Sequence, residues 1–552
     1  SFIMRKGFSV RIFNGEIESF CRFQEGLFDN VIVENESFLI AIEGVILNKK
    51  SLCQEFASTN FKDLVLNLFI QKKQRFFALL EGEFSGFIID KSVRTVFAFT
   101  NVTSTQKVFY YRSKDLIIID TSIKNIVEDL KSNKIPFSID VESIYQMLAF
   151  TNIIENKTPI KDIFKIYDAS YIKVDAENLS IKEEQYFNVE AERFSGSKEV
   201  AINTIDEIFS KSVALEYEKD NELGKEHFSL LSGGLDSRVA VLYAEKLQLN
   251  PDKMFCFSQS NYLDETISRK IAEKFNFDYH FAPLDGGIFL KNIDKMVSIS
   301  EGMVLYTGSI HVDFAMQQFY QEQFGLIHSG QIGDGVLGGF NMIPDVQKPT
   351  NKKIVVNSLF LPKVYENLEK IKSQYEREEL FYLRNIAFNR AVFGGQVFQQ
   401  FSYQTSPFMT KDFMSFAVSL PEKWKFNHRF YLEWIKEHCK EATLFKWERT
   451  MMKPNAHWKT TLGDHFNKRL VNVFYNKIFG KEYKISMYPY QYYFDSSPEI
   501  QSFYNDYFQS NIELLDDYKE LQKDILELFH HKDFFSKSSA VNILAIFKYY
   551  LS

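Results

Sequence analysis

His227-Phe228-Ser229-Leu230-Leu231-Ser232-Gly233-Gly234-Leu235-Asp236-Ser237-Arg238-Val239-Ala240-Val241-Leu242 is the stretch whose reading decides the fold. Phe228, Leu230 and Leu231 form the short apolar run of a buried strand. Gly233 and Gly234 permit a tight turn and a close backbone approach to a ligand. A helix is predicted from Leu235. Its orphan N–H groups and the positive end of its dipole favour an anion, and Ser232 and Ser237 add hydroxyls. Asp236 places a carboxylate beside that anion, where Mg²⁺ would bridge to phosphate oxygens. A plain capped turn would share the Gly-Gly pair. The full Ser-Gly-Gly-Leu-Asp-Ser string after an apolar strand is much rarer.

The flanking chain reads as alternating helix and strand. Lys198 to Glu218 is an amphipathic helix, with Ile202, Ile205, Ile208, Phe209 and Val213 on one stripe. After the turn come a helix to Leu247, a strand Met254–Ser258, a helix over 264–275, a strand Tyr279–Phe281 and a strand Leu326–Ser329. This alternation predicts a doubly wound parallel sheet, whose ligands sit at the carboxyl ends of its strands. Ser232 to Ser237, Ser258, and Ser329 to Asp334 all fall at such ends. Residues 1 to about 195 are instead β-rich, with short runs at Phe8–Ile12, Phe38–Ile42, Gly86–Ile89, Val96–Phe99 and Leu116–Ile119. Helices are predicted at Phe61–Leu80 and Val141–Leu148. Periodicity alone makes this a two-layer α+β domain.

The 552 residues suggest two to four domains. With 45% apolar and 25% charged residues the composition is that of a soluble globular protein, and the 56 Phe and 28 Tyr favour large aromatic cores. A net charge of −7 offers no basic field for nucleic acid. Cys21, Cys53, Cys256 and Cys439 lie far apart without a CxxC pair, so neither a disulfide framework nor a zinc site is expected, and a cytoplasmic location fits. Ser1 to Phe20 holds no apolar signal segment, and no run approaches the ~20 apolar residues of a membrane span.

The Ser232–Ser237 string resembles the PP-loop of the ATP pyrophosphatase superfamily, whose enzymes cleave ATP between its α and β phosphates and adenylate a substrate. Ser329-Gly330-Gln331-Ile332-Gly333-Asp334-Gly335-Val336-Leu337-Gly338-Gly339-Phe340 resembles the "SGxGxDExxGGY" loop of the asparagine synthetase B and β-lactam synthetase family. Upstream, Ile42-Glu43-Gly44-Val45-Ile46-Leu47-Asn48 and Leu80-Glu81-Gly82-Glu83-Phe84-Ser85-Gly86-Phe87-Ile88-Ile89-Asp90 are similar to the "NGxIxN" and "GxFAFxxxD" phrases of its glutaminase-type domain. Ser402 to Pro421 resembles its "PFLDxxLxExAxxLP" segment, here Ser406-Pro407-Phe408 through Ser419-Leu420-Pro421, read as mostly core helix. The resemblance implies an α/β chain. Residues 1–195 would form a degenerate Ntn-like α+β antiparallel sandwich, and residues 196–552 a doubly wound PP-loop synthetase domain with a helical C-terminal part.

The implied site follows. ATP would contact Leu230, Ser232, Gly233, Gly234, Leu235, Asp236, Ser237, Phe257, Ser258, Ser329, Gly330 and Gly333, with the backbone of Phe257 and Ser258 at adenine. Mg²⁺ would sit between Asp236 and Asp334. Asp264 and Glu265 suit a helix start, and capping weighs at least as much as a ligand role. A cation near Trp447 would stabilise charge on the adenylated carboxylate and pyrophosphate. Spacing points to Arg449, residue type to Lys453, and the reading leans to Lys453. The cluster Tyr488–Phe494 reads as packing rather than a substrate wall.

Three departures shape the expected activity. The family's glutamine-hydrolysing members carry a Cys directly after the initiating Met, with the terminal amine as its base. Here Arg5 follows Met4, and Cys21 reads as a core residue. Gln331 stands where the family has the Glu or Tyr at the reacting amine, and an amide side chain orients but does not act as a base. Gly335 replaces the Glu after the aspartate. The expectation is an ATP-dependent amide ligase or cyclase. It would take a small-molecule or peptide carboxylate and an amine from a source other than glutamine, and it would have no nucleic-acid or membrane partner. A homodimer is compatible with this reading. The alternatives are an ammonia-using asparagine synthetase relative and a non-catalytic nucleotide-binding scaffold.

Overall fold

Residues 7–190, 192–463 and 486–552 are described by a computed structural model. The Met4-Arg5 start and the part of the predicted helical region from Phe466 to residue 485 lie outside the described residues. The first eleven strands are β1 (Phe8–Phe13), β2 (Glu16–Cys21), β3 (Val31–Glu34), β4 (Phe38–Ile46), β5 (Gly82–Asp90), β6 (Thr95–Thr100), β7 (Phe109–Arg112), β8 (Leu116–Asp120), β9 (Ile163–Lys165), β10 (Ser170–Asp175) and β11 (Ile181–Gln185). They form two antiparallel sheets, ordered β2-β1-β8-β7-β9 and β11-β10-β6-β5-β4-β3.

Side-chain parity explains how these sheets stack. In β4, β5 and β6, Ile40, Ile42, Phe84, Ile88, Phe97 and Phe99 face one core, which they share with Leu64, Val65, Leu68 and Phe69 of the Phe61–Lys72 helix. Their neighbours Ala41, Phe87, Ile89, Val96 and Ala98 face the other way, onto Val10, Ile12, Ile117 and Ile119 of the first sheet. Leu116 and Ile118 turn outward to Ile123 and Ile126 of the Ile123–Ser132 helix. The result is helix, sheet, sheet, helix. The two-layer expectation is corrected here: both faces of these strands are covered, so they carry near-continuous apolar runs. The helix predicted over Phe61–Leu80 ends at Lys72. Lys73 takes φ 51°, and a tighter 3₁₀ turn runs on to Leu79.

The second region is built on a five-stranded parallel sheet. Its strands are β12 (Glu226–Leu230), β13 (Lys253–Ser258), β14 (Asp278–Pro283), β15 (Phe324–His328) and β16 (Gln404–Thr405), ordered β14-β13-β12-β15-β16. The segment read as mostly helix after Ser402 thus opens with a two-residue strand, and the helix itself runs Lys411–Ser419. A buried carboxylate ties the long Lys198–Leu223 helix to the sheet. Asp220 Oδ2 pairs with His227 Nδ1 of β12 at 2.7 Å and with His328 Nε2 of β15 at 2.5 Å, while its Oδ1 accepts the Leu326 N–H at 2.8 Å. The largest core runs through both regions, joining Ile126, Ile144 and Phe150 to Phe228, Leu242 and Ile327. Among the described residues no helix is long and apolar enough to cross a membrane.

Candidate functional site

The Ser232–Ser237 turn sits at the carboxyl end of β12, the middle strand. The following helix, Leu235–Lys246, has Gly234 at its N-cap with no side-chain cap, so its first amides face an open cleft. Ser237 Oγ accepts the Ser232 N–H at 3.0 Å, and Ser232 Oγ accepts the Gly234 N–H at 3.1 Å, which fixes the bend. The Gly233 N–H donates to Asp264 Oδ1 at 2.8 Å. Gly233 therefore makes the turn rather than offering an amide to phosphate, and Asp264 anchors that turn. Glu265 serves its own helix start, accepting the Asn261 N–H at 2.7 Å and pairing with Arg269.

The second loop leaves β15 and folds over the first. The approach is so close that a Cβ on Gly330 would lie 2.4 Å from the carbonyl carbon of Asp236, and one on Gly333 would lie 2.8 Å from the Asp236 carboxyl carbon. Only glycine fits at either place. The Asp334 N–H donates to Asp236 Oδ2 at 2.7 Å, and the Tyr431 hydroxyl donates to Oδ1 at 2.9 Å. Two aspartates 98 residues apart thus share one corner of the cleft. Burial, and then the charge of Asp334, push the Asp236 carboxyl up to about 7. Burial would also raise Asp334, but contacts with His428 and Arg449 outweigh it and hold that carboxylate well below its usual range. Arg449 Nη1 lies 3.0 Å from Asp334 Oδ1, and 46% of the Asp334 side chain stays open to the cleft.

This donor set fits a divalent cation. It consists of hard carboxylate oxygens, one of them on an acid that resists ionising because it is buried and its neighbour is charged, with open space beside them for phosphate oxygens.

The cleft holds about 670 Å³. Of the residues singled out from sequence, Leu230, Ser232, Gly234, Leu235, Asp236, Ser237, Phe257, Ser329, Gly330, Gln331, Asp334 and Arg449 line it. Gly233 and Gly333 shape its floor as close contacts. Ser258 is buried outside the lining, with its hydroxyl on the Gln259 carbonyl and its own carbonyl accepting the Leu284 N–H. Lys453 is exposed and does not line the cleft. The chain reverses tightly between Trp447 and Met452, where the Trp447 N–H bonds the Met452 carbonyl at 2.8 Å. That reversal turns Arg449 inward, 5.8 Å from the Trp447 ring centroid, and carries Lys453 past the rim.

Several lining or supporting residues escaped the sequence reading. His311 and Val312 come from the Ile310–Phe319 helix, and Met487 lies just before the aromatic cluster. Tyr488 packs on the His311 ring, and the Tyr490 hydroxyl lies 3.2 Å from its Nδ1, so part of that cluster backs the cleft wall. Burial drives His311 down to about 3, which keeps it neutral. Ile332 takes φ 63°, a left-handed conformation costly for a β-branched residue. It stands where the "SGxGxDExxGGY" phrase has a glycine, and that mismatch was visible in the sequence. Tyr431 and His428 carried no local signal.

Residues 204–391 match the family model described as asparagine synthase, roughly a third of the chain. That span includes the first two loops of the cleft and stops short of Arg449. No curated protein matches the chain. Solved structures similar to it include one titled as the allosteric regulatory enzyme of purine biosynthesis, with TM-score 0.23 and 8% identity over 50% of this chain and 59% of that one. Another is glutamine phosphoribosylpyrophosphate amidotransferase from B. subtilis complexed with ADP and GMP, with TM-score 0.22 and 8% identity over 66% of this chain and 83% of that one. The chain thus spans less than two thirds of the first of these structures.

Proposed function

We propose that the chain is an ATP-dependent ligase that adenylates a carboxylate, releases pyrophosphate, and passes the acyl group to an amine with release of AMP. The observation that carries this reading is the meeting of Asp236 and Asp334 beside the uncapped helix start at Leu235, in a cleft large enough for a nucleotide. The amides of that helix and the Ser232 and Ser237 hydroxyls would receive the departing pyrophosphate. Leu230, Phe257 and His311 line the apolar part of the cleft and suit a purine ring. Asp236 and Asp334 would hold Mg²⁺, which when bound supplies positive charge to the phosphate oxygens. Arg449, rather than Lys453, would face the charge that develops as pyrophosphate leaves. Gln331 lines the cleft and would orient the incoming group by hydrogen bonds.

The amine is proposed not to come from glutamine hydrolysis. A thiol nucleophile needs an accessible thiolate, and each cysteine of the sequence is poorly placed for that. Burial pushes Cys21 up to about 11, raises Cys53, and pushes Cys256 and Cys439 up to about 12. The deciding experiment is ATP–pyrophosphate exchange across a panel of carboxylic acids, with glutamate release from glutamine followed in parallel. Acid-dependent exchange without glutamate release is expected. Nucleotide binding with exchange absent for every acid tested would leave the scaffold reading standing. Release of glutamate would refute the second part.

A further inference from the structure

Beside the nucleotide cleft lies a second chamber of about 330 Å³. The two share His311, Val312, Gln331 and Phe398, so the side chamber opens next to the residue expected at the reacting group. Its walls are apolar or carry neutral polar groups, among them His311 and Gln331, with one exception. Arg390, from the helical stretch that ends at Gly394, is the one charged residue among the described lining residues. The guanidinium is held by neutral groups. Nε donates to Asn152 Oδ1 at 3.0 Å, Nη1 to the Lys353 carbonyl at 3.4 Å, and Nη2 to the Phe150 and Ile354 carbonyls at 2.8 and 3.0 Å. No carboxylate among the described residues pairs with it, and burial alone brings it down to about 10.

A cation buried without a counter-ion carries a large desolvation cost unless something anionic offsets it. Backbone carbonyls fix its orientation but carry no full charge. The same chamber offers nothing to an ammonium group: among the described residues no Asp or Glu lines it. The carboxylates of the main cleft are engaged elsewhere, Asp236 and Asp334 with each other and Glu448 with the Tyr262 hydroxyl.

We propose that this chamber is the acyl-substrate site, and that it selects an acid bearing a second anionic group, seated on Arg390, with its α-amine blocked or absent. The proposal rests on the ligase reading and narrows it. A free α-amino acid such as aspartate would bring an ammonium into a chamber that already holds an uncompensated positive charge, and like charges at close range in a poorly hydrated space repel strongly. An N-acylated Asp or Glu, or one at the C-terminus of a peptide, keeps both carboxylates and meets the requirement.

The test is ATP–pyrophosphate exchange with four probes: N-acetylglutamate, N-acetylglutamine, which lacks one carboxylate, free glutamate and free aspartate. N-acetyl dipeptides that end in Asp or Glu extend the panel. The wild-type protein is expected to prefer the capped diacids over the capped monoacid by at least tenfold and to give no exchange with free aspartate. Arg390→Gln should erase that preference. Because Arg390 also braces three backbone groups, a second variant is needed. A Cβ at Gly308, on the chamber wall, meets no atom within 4 Å, so Gly308→Leu adds bulk at the chamber with no clash at the branch point. It should raise the KM for the diacid and leave the melting temperature in place. Preference for free aspartate, an unaltered preference in a cooperatively folded Arg390→Gln protein, or no exchange with any diacid would overturn the assignment. If calorimetry shows no heat with ATP and Mg²⁺, the ligase reading falls first.

Discussion

Replacing Gly330 by alanine adds one carbon where the two site loops touch. That carbon would sit 2.4 Å from the Asp236 carbonyl carbon, 2.5 Å from the Ser237 nitrogen and 2.7 Å from Asp236 Cβ. None of these is the loose end of a long side chain. Ordinary contact begins near 3.4 Å, so the loops must part by about 1 Å, an overpacking that costs about 1–3 kcal/mol. The Asp334 N–H to Asp236 bond, 2.7 Å in the intact protein, would be stretched or lost. A shift of about 1 Å in a reacting geometry also lowers rate by about 100-fold. Thermal unfolding and ATP–pyrophosphate exchange read the two effects separately. The variant should melt early and exchange poorly, whereas Gly308→Ala, whose new carbon meets nothing, should melt like the wild type. If Gly330→Ala melts and exchanges normally, the close seating of the loops is not what builds the site.

Other substitutions probe the charges. In the unfolded chain Asp236 ionises near pH 4, while in the fold it keeps its proton up to about 7. The folded state therefore binds more protons across that window, and stability should fall as pH rises through it. Asp236→Asn should flatten that loss in thermal melts without divalent cations, and added Mg²⁺ should restore stability at pH 8 in the wild type only. Arg449→Ala should lower exchange by about 10²–10³-fold if it meets developing charge, and Lys453→Ala should stay within a few-fold; the reverse order would reinstate Lys453. Ile332→Gly removes a strained φ worth about 1–2 kcal/mol and gives back about 0.5–1 kcal/mol of glycine entropy, so with the lost packing its melt should stay close to wild type. At pH 7.5 the native thiols should react with iodoacetamide far more slowly than free cysteine, because burial raises all four; rapid labelling of Cys21 or Cys53 would contradict this.

The elements that announced themselves were those whose signal is local. The apolar run before Gly233, the glycine pair and the helix after it sit together in sequence, and β12 and the Leu235–Lys246 helix form there. The Asp334 loop was legible for the same reason, and its contact with Asp236 follows from both lying at the ends of adjacent strands, β12 and β15. The β16 strand is two residues long and exists only because Ile327 and His328 offer it partners, so no window could show it. Four-layer packing was hidden because a single strand does not reveal what covers its second face. Arg449 and Lys453 could not be separated by type or spacing. A six-residue reversal between Trp447 and Met452 decides which of them faces inward. Arg390 and Tyr431 act across long sequence separations, and neither lies in a phrase with its own pattern.

Arg238 is fully buried, and it donates to the carbonyls of Gly233, Ala442, Phe445 and Lys446. One side chain thereby rivets the turn that would grip pyrophosphate to the arm that carries Arg449. Prising those two apart would strand a guanidinium in a dry interior, so any opening of the cleft is expected to move them together as one jaw. Under the proposed ligase activity, passage for spent nucleotide would then fall to lining residues outside that jaw, such as His311 and Met487.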